Sequence, residues 1–404
     1  MNLIKKFDET PSFTLETPDM DFWPIEFEIE DVQIRDGDIV VRWNDHKTSS
    51  FLPLWLREQC PCRVCHSDIT RETLMDVTDI PVDVQAVQVR LDDKGYVVVH
   101  WSTDGHASCF NPGWLRANSY DGWAQAVQMK IRPTWDHNFQ IPDFDALQIL
   151  NDDDHLCEWL TALDTYGLTL VRNVPTQSKA VLEMAKRIGQ VRSTNFGTMF
   201  EVVSKPDADS NAYLSVELPL HMDLPTRETP PGLQFLHCMV NDAKGGDSVL
   251  ADAFHLAKIL KVEAPDVYET ITGVNYSFKN RSLICDYQAS GPLIRLDEAG
   301  NPVEHRINTF LTSPITHLPR DELKNALEAK HHLLHMLQEE RFKIQYKMGS
   351  GDMIAFDNRR VLHARTEFFP NTGSRLLEGC YVDRDELGSA LRMLAREKRR
   401  LKCG

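Results

Sequence analysis

Apolar residues alternate with polar ones along the first part of the chain and adopt three-to-four-residue spacing only later, so the sequence predicts strands first and helices afterwards. Between about residues 27 and 115 the alternating runs are punctuated by turn signals. Val32-Gln33-Ile34-Arg35 and Ile39-Val40-Val41-Arg42-Trp43 flank Asp36-Gly37-Asp38, whose Asp-Gly pair supplies the positive φ of a tight hairpin turn. A second hairpin joins residues 84–91 to 96–101 through Asp92-Asp93-Lys94-Gly95. Periodicity lapses at Ile131-Arg132-Pro133-Thr134-Trp135 and Ile141-Pro142-Asp143, as in a linker. Helical spacing then covers 154–166, with Leu156, Trp159, Leu160 and Leu163 on one face, and 178–188. From Phe196 to Tyr381 the pattern is again mostly strands, interrupted by an amphipathic helix over 321–339 and by turns at Gly245-Gly246 and Gly300-Asn301-Pro302.

At 404 residues the chain is too long for one ordinary core. The pattern therefore predicts a leader over 1–26, a small β-rich domain over 27–130 and a larger, mainly β domain with flanking helices over 131–404. Apolar residues at 42% and charged residues at 26% describe a soluble globular chain. A net charge of −16 argues against a nucleic-acid partner, and the basic run 396–402 reads as a solvated helix end. No stretch approaches 18 uninterrupted apolar residues, and residues 1–8 lack the apolar core of a signal peptide, so no membrane association and a cytoplasmic location are expected. Nine cysteines, three of them clustered, fit a reducing compartment with a metal site better than a disulfide scaffold.

That cluster is Cys60-Pro61-Cys62-Arg63-Val64-Cys65. Three thiolates in six residues can share one ion. With a fourth ligand from among His66, His100, His106 and Cys109, they would close a structural zinc site that adds folding energy to a small core. His106 follows a turn that could swing it toward the cluster, whereas His66 is adjacent to Cys65 and poorly placed.

His221-Met222-Asp223 and, 140 residues further on, His363 suggest a second and different metal site. Two imidazoles and one carboxylate bind Fe(II) on one face and leave positions open for substrates. The strand-like run 212–220 puts His221 at a strand end, and Pro225, Pro230 and Pro231 force a rim loop after it. His363 follows strand-like runs at 351–358 and 359–362, so a two-sheet barrel is the arrangement that would bring the ligands together. Oxygen chemistry at such a centre needs two further electrons, which a 2-oxo acid supplies on losing CO2. The distal carboxylate of that acid calls for a planar cation. Arg375, twelve residues after His363, is the candidate, with Arg365 as local competitor and Ser248 as an added hydroxyl donor. His331 and His335, four apart, read as a solvated helix face, and His237 and Cys238 as packed strand residues.

The strings 220–228, 231–238, 357–365 and 379–385, including Leu220-His221-Met222-Asp223-Leu224-Pro225 and Asp357-Asn358-Arg359-Arg360-Val361-Leu362-His363-Ala364-Arg365, resemble the taurine-dioxygenase-like branch of the Fe(II)/2-oxoglutarate oxygenases. Within that branch they are most similar to its carnitine-forming members, and the likeness runs from about Leu52 to Leu391. The resemblance implies a double-stranded β-helix (jelly-roll) catalytic domain and an amino-terminal zinc domain whose fourth ligand is His106. It further implies Arg375 as the 2-oxoglutarate residue, O2 as cosubstrate, ascorbate as reductant and a homodimer. The implied reaction is hydroxylation of gamma-butyrobetaine at C3 to L-carnitine, with succinate and CO2 released. Trimethyllysine or another quaternary amine is the alternative substrate, and a metal-stabilised small-ligand sensor the non-enzymatic one.

A trimethylammonium group has no N–H to donate, so aromatic faces must select it. Phe196, Phe200, Tyr213 and Tyr381 match the family's cage, although some members carry Tyr and Trp where this chain has Phe196 and Phe200. Asn211 and Asn308 are candidates for the substrate carboxylate. Fixing both ends of the substrate would place its middle carbon at the metal.

Overall fold

The computed structural model describes residues 23–67, 69–70, 72–103, 105–128, 132–203, 215–282 and 284–403. Two of the predicted site residues, Asn211 and Tyr213, lie outside this set, as does most of the expected leader. The chain divides into two compact units, Met1–Ile131 with Arg396–Gly404, and Arg132–Ala395. The last residues of the chain thus group with the first unit, because the helix Arg384–Cys403 runs on past residue 395, and Arg399 lies 5.9 Å from the Trp23 ring. Among the described residues no helix is long and apolar enough to cross a membrane.

The first unit contains the two hairpins that the alternation predicts. Ile29–Arg35 pairs with Asp38–Trp43, which pairs with Thr48–Phe51; Ala86–Leu91 pairs with Val97–Trp101, which pairs with Ala107–Phe110. The inward residues of both sheets, among them Ile39, Val41, Trp43, Val97, Val99 and Trp101, share one apolar core with Leu56 and Trp114. Asp36 and Gly37 both carry positive φ, as the Asp-Gly turn requires.

The second unit is a double-stranded β-helix built from two sheets. The larger has the order Asp143–Asp145, Leu168–Arg172, Met353–Asp357, Leu233–Asn241, Arg375–Val382, Phe200–Val202; the smaller has the order Leu218–His221, Val361–Arg365, Ser248–Asp252, Ile344–Tyr346. Leu168, Leu170, Ile354, Phe356 and Leu377 of one sheet pack with Leu250 and Val361 of the other. The opposite face of the larger sheet, through Leu233, Phe235, Met353, Ala355 and Cys380, packs on the helices Asp153–Tyr166 and Ala180–Lys186. The first of these carries the predicted Leu156, Trp159, Leu160 and Leu163 face and ends at Gly167, whose φ of 71° suits a left-handed cap. The third predicted helix spans Arg320–Met336, with His331 and His335 exposed. His237 and Cys238 are fully buried in their strand.

Candidate active site

Strand pairing creates the central constellation. His221 closes the strand Leu218–His221, and its register partner across the antiparallel pair is His363. The two ring centroids are 4.1 Å apart. The Met222 N–H donates to Ile307 O at 2.9 Å, and Leu224 then adopts a φ of +55°, a conformation uncommon for a leucine. Asp223 Oδ1 lies 3.3 Å from His221 Nε2 and 3.7 Å from His363 Nε2.

Surrounding hydrogen bonds decide which atoms are free to ligate. His221 Nδ1 donates to Pro219 O at 2.8 Å, which leaves Nε2, on the Asp223 side, as the ring nitrogen available to ligate. Asp223 Oδ2 accepts from Gln234 Nε2 at 2.8 Å and from the Tyr381 hydroxyl at 2.6 Å, leaving Oδ1 for a metal. Gln234 and Tyr381 are opposite one another on adjacent strands, and Phe356 is opposite Gln234 on its other side. One row across the larger sheet therefore braces the carboxylate twice, while its third member, Phe356, packs its ring 5.0 Å from that of His363. Asn358, fully buried, accepts from the Asp223 N–H at 2.8 Å and donates to Asp223 O and Pro231 O at 3.0 and 3.1 Å. Burial pushes the Asp223 carboxyl up, but the neighbouring His363 and His221, with the Tyr381 hydroxyl, outweigh it and hold the group below the usual carboxylate range. Burial, reinforced by His221, pushes His363 down to about 3, which keeps its imidazole neutral and able to ligate. Two imidazole nitrogens and one carboxylate oxygen, all within 4.8 Å of one another, fit Fe(II).

Arg375 opens the strand that carries Tyr381. Its Nε is buried with no hydrogen-bond partner among the described residues, and its guanidinium sits 5.3 Å from the Phe368 ring. Burial lowers its pKa to about 10, so it stays cationic at neutral pH and suits a carboxylate ligand. Gly246, at φ +72°, makes room for it, since a Cβ there would lie 2.9 Å from Arg375 Nε. Ser248 is buried at the start of its strand, opposite Arg365, and no hydrogen bond joins it to Arg375 among the described residues. Arg365 donates to Val216 O at 2.8 Å and lies 4.8 Å from the same Phe368 ring, so it lines this region as a second guanidinium.

Of the aromatic cage, the structure brings together Phe200 and Tyr381, with ring centroids 5.1 Å apart. Phe200 pairs with Gly379 across the edge of the larger sheet, and a Cβ on Gly379 would come within 2.5 Å of the Phe200 ring, so the ring occupies the space a side chain would need. Phe196 is half-buried in the tight turn Thr194–Gly197. Asn308 is buried with its amide largely committed. Its Nδ2 donates to Met222 O at 3.1 Å and its Oδ1 accepts from the N–H groups of Phe310 and Leu311 at 3.0 and 2.8 Å. It thus braces the backbone between His221 and Asp223, and Phe310 packs edge-on against the His221 ring at 4.9 Å. Gln234, Asn358 and Phe310 have no assigned role in the sequence reading. Gln234 and Asn358 sit inside quoted motifs, but nothing in local spacing marks Phe310.

In the first unit, Cys60, Cys62 and Cys65 surround His106 Nε2 at 3.1, 3.5 and 3.6 Å. Backbone bonds from the N–H groups of Cys65 and His66 to Cys62 O fold the loop so that all three sulfurs face inward. The Cys60 and Cys65 thiols hydrogen-bond to Cys62 and hold it well below the usual thiol range, and Arg57 donates to Cys65 Sγ at 3.4 Å. Three sulfurs and one imidazole nitrogen within 4.8 Å of one another fit a closed tetrahedral zinc site. Of the other fourth-ligand candidates, Cys109 pairs with Val98 and His100 with Ala107 in their strands, and His66 bridges to Thr73.

A family model described as "Taurine catabolism dioxygenase TauD, TfdA family" matches residues 130–381, and one described as "Gamma-butyrobetaine hydroxylase-like, N-terminal" matches residues 31–119. The gamma-butyrobetaine dioxygenase of Pseudomonas sp. (strain AK-1) is 44% identical over 361 residues, covering 89% of this chain and 94% of its own length. The gamma-butyrobetaine dioxygenase of Homo sapiens is 30% identical over 365 residues, 88% of this chain and 93% of its own. A trimethyllysine dioxygenase of Meyerozyma guilliermondii is 27% identical over 382 residues, 89% of this chain and 94% of its own.

Proposed function

The chain belongs to the TauD, TfdA family of dioxygenases and is a 2-oxoglutarate-dependent dioxygenase, and from this premise we propose that it hydroxylates gamma-butyrobetaine at C3 to give L-carnitine, succinate and CO2. One observation carries the choice of a quaternary amine beside the family membership. The Tyr381 ring stands beside Phe200 while its hydroxyl bonds to Asp223. A trimethylammonium group resting on those faces would be held at a set distance from the metal ligands.

His221, Asp223 and His363 would hold Fe(II), which when bound activates O2 with electrons drawn from 2-oxoglutarate. The chain's own residues do the positioning. Arg375 pairs with the distal carboxylate of 2-oxoglutarate, in a burial that strengthens the pair by excluding water, and Ser248 is a proposed second donor. Phe196, Phe200, Tyr213 and Tyr381 enclose the ammonium. Asn211 and the second amide hydrogen of Asn308 are proposed donors for the substrate carboxylate. Gln234, Asn358 and Tyr381 keep Asp223 in one orientation as substrates exchange. Cys60, Cys62, Cys65 and His106 would hold a structural zinc ion within a domain spanning 27–130, after a leader over 1–26 and before an oxygenase domain over 131–404. The same proposal includes ascorbate as reductant, a homodimer and a cytoplasmic location, supported by the family resemblance and, for the last, by cysteine usage suited to a reducing compartment.

The test is mass spectrometry of products formed with Fe(II), ascorbate and 2-oxoglutarate, comparing gamma-butyrobetaine, trimethyllysine and no added amine. The expected result is gain of one oxygen atom on gamma-butyrobetaine, matched mole for mole by succinate. Preferential oxidation of trimethyllysine, or succinate without any hydroxylated amine, would overturn the substrate assignment.

A further inference from the structure

Arg227 lies four residues beyond Asp223 and makes contacts that metal binding does not require. Its guanidinium stacks 3.4 Å from the ring centroid of Tyr287, in the strand Asp286–Gly291. Its Nη2 donates to Asn195 Oδ1 at 2.6 Å. Asn195 and Phe196 are the two central residues of the turn Thr194–Gly197, which is closed by reciprocal N–H to carbonyl bonds of 3.0 Å between its end residues. The Phe196 N–H is held in turn by Thr194 Oγ1 at 3.1 Å. Arg227 therefore grips the turn that presents Phe196, at the residue next to it.

The loop carrying Arg227 is fixed from its other side. Arg306, buried and paired with Glu304 at 3.0 Å, donates to the carbonyls of Pro225, Arg227 and Glu228 at 3.1, 3.0 and 2.7 Å. Arg192 adds a parallel tie. Its Nη2 donates to Thr229 O at 2.9 Å, and its N–H donates to Tyr381 O at 2.8 Å. The loop after Asp223 is thus tied to the Phe196 turn by Arg227 and to the Tyr381 strand by Arg192, which also pairs with Asp383 at 2.7 Å, and is held in place by Arg306.

We propose that Arg227 is a positioning residue for the amine substrate, which transmits the fixed location of the metal triplet to the Phe196 wall. The proposal rests on the cage reading above. A planar guanidinium can stack on Tyr287 and donate in-plane to Asn195 at the same time, which an ammonium cannot, so lysine is not an equivalent residue here. A wall displaced by a small fraction of a ring width loses orientation of the bound amine while leaving the Arg375 pocket untouched.

The experiment compares the wild-type enzyme with Arg227→Ala, Arg227→Lys, Asn195→Ala and the Arg227→Ala/Asn195→Ala double variant in steady-state assays with gamma-butyrobetaine and 2-oxoglutarate. For Arg227→Ala the expected result is a roughly tenfold rise in KM for the amine, the scale set by one charged hydrogen bond. The 2-oxoglutarate KM stays within about twofold, and succinate outruns hydroxylated product. Asn195→Ala should reproduce the effect, the double variant should be no worse than either single one, and Arg227→Lys should fail to restore the amine KM. An unchanged amine KM, equal rises in both KM values, or additive single effects would overturn the proposal. Should Arg227→Ala fail to fold, the Asn195→Ala and Arg227→Lys arms decide by the same readouts. A wild-type enzyme that leaves gamma-butyrobetaine untouched would instead overturn the cage reading, and this proposal with it.

Discussion

The two candidate metal-binding constellations differ in how the chain builds them. Three of the four donors in the first, Cys60, Cys62 and Cys65, come from a single six-residue stretch with His106 as the fourth, whereas His363 joins the local pair His221 and Asp223 only through the pairing of strands 140 residues apart. The first is a closed set of three sulfurs and a nitrogen that offers an ion no open position, which suits holding a fold together. The second is one-sided, with a carboxylate oxygen committed to Gln234 and Tyr381 and its partner oxygen facing the histidines. A local loop can gather a metal with little else in place. An open site needs a sheet to fix its ligands before any metal arrives, because nothing on the vacant side helps to hold them.

The largest effect that would break or sharpen this contrast is loss of a ligand from the open site. Asp223→Ala should lower turnover by roughly a thousandfold or more, since Fe(II) loses its only anionic ligand, while zinc content and melting temperature change little. Next comes the closed site. Cys62→Ser removes the middle sulfur of the cluster and should cost zinc, and with it a substantial part of a binding free energy on the order of 10 kcal/mol, read as a lower melting transition and less zinc by elemental analysis. If each variant emptied both sites of metal, the two would not be the independent devices their construction suggests. A smaller effect is expected from Arg375→Gln, which leaves both metals bound and raises the 2-oxoglutarate KM by about 10- to 100-fold with little change in the amine KM.

The sequence names the candidate ligands in both regions but not what holds them. The cysteine spacing marks its cluster by proximity alone, and the resemblance names His106 as the fourth member, which the fold sets opposite the three sulfurs. His221 and His363 were legible as motif residues at strand ends. The row Phe356, Gln234 and Tyr381 was not, because register between strands far apart in sequence leaves no periodic trace in any one of them. Asn308 illustrates the same limit. Its residue type suggested a carboxylate donor, whereas the fold uses most of its amide to support Met222 O and to cap residues 310 and 311. The expected strand over 212–220 is described only as Leu218–His221, with residues 212–214 outside the described set. The hairpins and the helix Asp153–Tyr166 were legible because turn chemistry and a single apolar face determine them locally.

Tyr381 provides the finest test, since it belongs to both the brace and the proposed cage. Tyr381→Phe keeps the ring beside Phe200 but removes the 2.6 Å bond to Asp223 Oδ2, leaving Gln234 as that oxygen's remaining side-chain donor among the described residues. A hydrogen bond to a charged acceptor contributes about 1.5–3 kcal/mol, and loss of a partner behind a metal ligand costs roughly tenfold or more in affinity. The Fe(II) concentration giving half-maximal activity should therefore rise about tenfold, with the amine KM at saturating Fe(II) nearly unchanged. Tyr381→Leu removes both functions and should raise the two quantities together. If Tyr381→Phe instead weakened amine binding and spared Fe(II), the hydroxyl would be acting on the substrate side. The open site would then be braced by Gln234 and Asn358 without a contribution from the strand that also carries Arg375.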